Sequence, residues 1–153
     1  MSRRELRQPL EYRNATLDEI NSLAEMNQQL ILDEGHGILV SIDQLQKRMT
    51  NWLSGEYQGV LFSIDGDDIG YALYRREEHW TYLRQFFVKS SHRRSGIGRE
   101  AVQYLKQNYW HDAPRVRLDV LVRNSVGIAF WKALGCQEYC VTMELSTGSD
   151  NEM

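Results

Sequence analysis

The run Arg93-Arg94-Ser95-Gly96-Ile97-Gly98 constrains this chain most, because of what flanks it. Upstream, Leu83-Arg84-Gln85-Phe86-Phe87-Val88 has the aromatic and apolar character of a strand. Downstream, Ala101, Val102, Leu105 and Tyr109 recur at helical spacing on one face. A strand that passes through a basic, glycine-containing loop into a helix N-terminus is suited to hold phosphate. The first N–H groups of a helix lack internal partners, and the macrodipole places partial positive charge there. Gly96 and Gly98 let the backbone approach an anion without a Cβ in the way. Lys89, His92, Arg93, Arg94 and Arg99 crowd the same place, although the chain carries a formal charge of -3.

That balance excludes the broad basic face a nucleic-acid partner usually needs; one basic loop suits one small polyphosphate. The 153 residues suffice for one domain burying roughly 70% of its unfolded surface. No apolar run approaches the ~20 residues of a membrane span, and no apolar core follows the charged N-terminus, so a cytoplasmic location is expected. Cys136 and Cys140 are the only cysteines. On one strand their Cα atoms would stand about 13 Å apart, too far for a disulfide. With no His nearby in sequence they make no metal site either, and two buried thiols are expected.

Residues 1–9 read as a flexible N-terminus, 10–145 as one domain and 146–153 as a disordered tail. Leu10–Asn14 suits a short strand. Thr16-Leu17-Asp18-Glu19 has the form of a capping box before a helix through Leu30 and Ile31, and Ser41-Ile42-Asp43-Gln44 repeats it before a second helix. Val60–Ile64 and Ile69–Tyr74 flank Asp65-Gly66-Asp67 as a hairpin, and Trp80–Val88 makes a third strand. Val116–Val122 alternates as a strand, and Asn124 opens a last helix closed by Gly135. Cys136–Leu145 reads as a final strand. The order predicts an α/β (α+β) fold with a single mixed, mostly antiparallel central sheet flanked by helices.

With these elements in order, the chain resembles the GNAT superfamily of acetyl-CoA-dependent N-acetyltransferases over roughly residues 10–145. The family loop (Arg/Gln)-x-x-Gly-x-(Gly/Ala) reads here Arg93-Arg94-Ser95-Gly96-Ile97-Gly98. The run from Asn124 to Cys136 is similar to the family's Asn-x-x-Ala-x-x-(aliphatic)-Tyr-x-x-x-Gly-Phe segment. The resemblance implies an acyl-CoA N-acyltransferase fold and acetyl-CoA as donor, with no metal. It implies that Arg93, Arg94, Ser95, Gly96, Ile97, Gly98 and Arg99 hold the pyrophosphate, and that Phe86, Phe87 and Val88 pair with the pantetheine arm. Asn124 would contact that arm or cap the last helix, with Trp131 packing along the cofactor.

Trp131 stands where many members carry a tyrosine that protonates the departing thiolate. Indole is no acid near neutral pH. The thiolate leaves unaided, or takes a proton from water or from Tyr139; a thiol of pKa ~8.5 makes the first comfortable. An alkylamine of pKa ~10 must lose a proton before it attacks, and Tyr82 and Arg84, on the substrate side of the strand, are poor bases. The acidic turn Asp33, Glu34 and His36 supplies the alternatives: Glu34 or His36 as base, with Asp33 and Glu34 drawing a small cationic amine. Arg84 offers a clamp for a substrate carboxylate, and Tyr82 a pocket wall. A peptide or protein acceptor, and a non-catalytic acyl-CoA-binding module, are the alternative readings. Gly96-x-Gly98-x-x-Ala101 also fits a dinucleotide fingerprint with Asp119 downstream, but Lys89–Ser95 intervenes between strand and glycines. Edge strands permit a homodimer.

Overall fold

The computed structural model describes residues 7–35 and 39–148. Their chain falls into two compact units that meet in sequence at Asp119 and Val120. The first unit holds a five-stranded sheet in the order β1 (Glu11–Asn14), β2 (Tyr57–Ile64), β3 (Asp67–Arg76), β4 (Thr81–Val88) and β5 (Val116–Leu118). The first four strands are antiparallel neighbours; β5 runs parallel to β4. A parallel neighbour needs a crossover, here α3 (Ile97–Asn108). Asp65 and Gly66 both take positive φ, 53° and 82°, as the tight β2–β3 hairpin requires.

Two helices, α1 (Ile20–Asp33) and α2 (Ile42–Ser54), cover one sheet face. Leu23 and Met26 of α1 and Met49 of α2 pack with Tyr57, Leu61, Tyr71, Leu73 and Phe87 in one buried cluster. The expected capping box of α2 is present: the Gln44 N–H donates to Ser41 Oγ at 3.2 Å, and the Ser41 N–H to Gln44 Oε1 at 3.4 Å. The box expected at Thr16 is not formed. Thr16 Oγ accepts from the Asp18 N–H and opens a short 3-10 turn, Leu17–Glu19. Glu19 is taken instead by Arg13, whose Nε and NH2 reach its two oxygens at 3.0 and 2.8 Å. Two charge-assisted bonds outweigh one bond to a backbone N–H.

The other face carries the aromatic run Tyr104, Tyr12, Phe62 and Phe86. Tyr12 stacks on Tyr104 of α3 with centroids 3.7 Å apart and meets Phe62 edge-on; Phe62 lies 5.7 Å from Phe86. Ile97, Ala101, Val102 and Leu105 are the buried residues of α3, at the spacing read from the sequence. Close strand approach constrains Gly70: a Cβ there would lie 2.3 Å from the Phe87 carbonyl oxygen and 2.9 Å from Phe62.

In the second unit, α4 (Ser125–Ala133) is capped by Asn124, whose Oδ1 accepts from the Gly127 N–H at 2.9 Å. Gly135 ends it at φ +99°. Two expectations fail here. The strand of residues 116–122 stops at Leu118, and residues 136–145 form no strand. Alternation marks a face, whereas a strand exists only where another strand accepts its N–H and C=O groups. Val141, Met143 and Leu145 are all exposed. Cys136 and Cys140 are free and exposed rather than buried.

Candidate active site

The loop after β4 makes a 3-10 turn, Ser90–His92, and then enters α3 through Arg94 and Gly96, both left-handed at φ 65° and 82°. Gly96 is the N-cap, so no side chain caps the helix, and the first turn of α3 presents backbone N–H groups instead. A Cβ on Gly96 would meet nothing within 4 Å, so its approach side is open. Ser95 Oγ donates to the His92 carbonyl at 3.0 Å and holds the loop in shape. The donor set fits a polyphosphate: uncapped N–H groups at a positive dipole end, with basic side chains on the same loop.

Arg93 does not reach outward from this loop. Its Nε donates to the Val88 carbonyl at 2.7 Å, its NH2 to Asp33 Oδ2 at 2.7 Å, and it stacks over Phe87. Gln29 donates to the other Asp33 oxygen at 3.0 Å. Asp33 therefore pins the loop to the end of α1, and its charge is matched by Arg93 rather than offered to a ligand. Glu34, the next residue, is half-buried and close enough to Tyr71 for its charge to act on that phenol. His36 lies outside the described residues.

On β4, pairing to β5 covers only Thr81, Tyr82 and Leu83. From Arg84 onward β4 is not paired to β5, and along Phe86–Val88 the Val88 carbonyl accepts from Arg93 Nε. A bulge occurs at this fork: Leu83 pairs with Tyr74 and Gln85 with Leu73, so Arg84 is the extra residue. The bulge sends successive side chains to the α1–α2 face. Arg84 stacks over Trp52 at 4.8 Å, while Gln85 accepts from the Tyr71 hydroxyl at 2.8 Å and donates to Asn27 Oδ1 at 3.3 Å. Tyr57 gathers two guanidiniums on its phenol oxygen, Arg75 at 3.1 Å and Arg84 at 3.3 Å. Tyr82 donates to Asp119 Oδ2 at 2.9 Å; burial and that carboxylate raise its pKa.

In the second unit the Asn124 oxygen serves the helix cap, and Trp131 packs edge-on against Phe130 at 4.9 Å. The Tyr139 side chain is exposed. Among the described residues no group of three or more His, Cys, Asp or Glu side chains is placed to hold a metal ion, and no helix is long and apolar enough to cross a membrane.

The model of the acetyltransferase (GNAT) family matches residues 25–136, which takes in the loop, the fork and α4. The chain belongs to this GNAT acetyltransferase family. Solved structures of the same fold cover it almost end to end. A possible acetyltransferase from Clostridium difficile 630 shares 21% identity at a TM-score of 0.74, over 90% of this chain and 96% of that one. A predicted acetyltransferase from Clostridium acetobutylicum, solved with acetyl-CoA, shares 16% at 0.73, over 90% and 96%. The aminoglycoside N-acetyltransferase AAC(6')-Iy, solved with CoA, shares 18% at 0.72, over 92% and 95%.

In this GNAT acetyltransferase, Arg84 and Tyr82 bond to residues that sequence reasoning passed over. Tyr57 and Arg75 lie outside the strands read from the sequence, Val60–Ile64 and Ile69–Tyr74, and Asp119 entered only through the dinucleotide pattern. Nothing in that pattern told that Asp119 meets Tyr82, 37 residues earlier.

Proposed function

We propose that this acetyltransferase takes acetyl-CoA as donor and passes its acetyl group to the primary amine of a small molecule by direct attack. The observation that carries this is the uncapped N-terminus of α3, entered through Gly96, at the end of the stretch of β4 that continues past its pairing to β5. The backbone N–H groups from Arg94 to Arg99 receive the pyrophosphate, and the Phe86–Val88 edge pairs with the pantetheine arm. The acetyl-CoA and CoA complexes of the two similar proteins support the donor. The aminoglycoside substrate class of one of them supports a small amine acceptor.

Glu34 takes the proton of the acceptor ammonium, directly or through water; the amine nitrogen then bonds to the acetyl carbon as the C–S bond breaks, and its surplus N–H proton passes to the departed thiolate or to water. The leaving thiolate needs no acid, since a thiol of pKa ~8.5 is a good leaving group. Trp131, in place of the family tyrosine, supplies packing rather than a proton. The acidic-turn argument for a purely cationic acceptor weakens, because Asp33 is matched by Arg93.

Gly96→Val tests the loop. A β-branched residue is strained at φ +82° and obstructs the approach to the helix N-terminus. Calorimetric titration is expected to show acetyl-CoA affinity reduced by about 10-fold or more, with the circular dichroism spectrum retained. Unchanged affinity would contradict the assignment.

A further inference from the structure

We propose that the acceptor carries a carboxylate as well as its amine, and that Arg84 is the residue that holds it. This rests on the acetyltransferase reading above and narrows its substrate class to amino-acid-like amines.

Three observations meet at Arg84. The first is position: Arg84 is the bulged residue that directly follows Leu83, the last β4 residue paired to β5. It therefore stands at the mouth of the fork where the donor's arm enters. The second is its state. Arg84 is exposed, yet it is held rather than free to wander, 4.8 Å over the Trp52 ring and bonded through NH1 to the Tyr57 hydroxyl. Neither partner neutralises it, and among the described residues no carboxylate lies within ion-pair distance of it. A guanidinium has five N–H donors, and this one spends a single donor on Tyr57. A fork fixed by stacking is pre-organised for a carboxylate.

The third is the charge around it. Arg75 donates to the same Tyr57 oxygen, so two guanidiniums converge on one neutral phenol. The Arg48 guanidinium lies 6.0 Å from the centroid of the Trp52 ring, over which Arg84 also stacks. Glu77 bonds to Arg75, and Glu56 acts on Arg75 from further away. Like charges so close repel, and a bound anion relieves that cost. Nearby, Asp119 accepts from Tyr82, and the Arg84 charge acts on that same phenol. A cation and an anion thus flank Tyr82, the pairing that a zwitterion with one carboxylate and one ammonium requires.

The test is thiol release from acetyl-CoA by the full chain, with L-α-amino acids set against their carboxamides and the matching amines without the carboxylate. The acids are expected to be the better acceptors by about 10–100-fold in kcat/KM, the worth of a charged hydrogen-bonded pair. Arg84→Gln is expected to raise KM for the acid until acid and amide converge, with KM for acetyl-CoA unmoved, and Arg84→Lys to recover part of the preference. Equal use of acids and amides by the wild type, or a preference that survives Arg84→Gln, overturns the clamp while leaving the transferase standing. Absence of turnover with every amine despite acetyl-CoA binding overturns the transferase reading and the clamp with it.

Discussion

Tyr71 is fully enclosed, and burial pushes its phenol pKa well above the ordinary value, which favours the protonated hydroxyl as a donor. That one fact orients a chain of side chains. Because the phenol donates to Gln85 Oε1, the Gln85 amide nitrogen must face Asn27, which accepts it. The chain ties α1 to β4 one residue beyond the bulge that presents Arg84. Tyr71→Phe removes the donor and leaves a part-buried amide oxygen unpaired, at a cost of about 1–3 kcal/mol. Urea denaturation is expected to show a lower midpoint at unchanged slope; an unaltered midpoint would mean that the Tyr71–Gln85 bond does not stabilise the fold. At this scale the sequence was informative about chemistry and silent about pairing. Arg84 and Tyr82 stood out by their place on β4. That Arg93 would turn back to Asp33, 60 residues away, was not written in any local pattern.

Among elements, β1 is short, and an ionic cluster adds to its pairing with β2. Arg13 bonds Glu19 on one side and Asp68 of β3 on the other, and Ser22 of α1 adds a bond to Asp68 at 2.8 Å. Burial works to raise the Asp68 pKa, but the bonds from Arg13 and Ser22 outweigh it and the net shift is downward from 3.8. A carboxyl depressed in the folded state contributes stability above its unfolded pKa and loses it as the pH falls through the folded value. Asp68→Asn is therefore expected to cost about 1 kcal/mol at pH 7 in moderate salt, with wild type and variant converging below pH 3.8. Thermal melts across pH 2 to 7 (roughly the carboxylate range) read this directly; a constant gap across that range would contradict it. The elements with strong local chemistry were legible beforehand: the Ser41 box of α2, the Asp65-Gly66 hairpin and the apolar stripe of α3. The failures share a cause. The Thr16 box lost Glu19 to an arginine, and residues 136–145 needed a partner strand that their own alternation does not supply.

For the whole molecule, the first unit assembles an uncapped helix end suited to phosphate, a strand that continues past its parallel neighbour and an aromatic–arginine group along one run from Thr81 to Gly98. The loop between β4 and α3 was readable, because its backbone geometry follows from glycines and a helix start. The acceptor side depends on contacts among β2, β3, β4 and α2, which no single stretch of sequence reveals. The central claim is that the protein moves an acetyl group from acetyl-CoA to an amine. Its most direct test is to incubate the full chain with acetyl-CoA and a panel of primary amines, following free thiol together with the acylated product by mass spectrometry. Thiol release that depends on the amine and matches N-acetyl product one for one is the predicted result. Tight acetyl-CoA binding with no N-acetyl product from any amine would contradict it and leave an acyl-CoA-binding protein in its place.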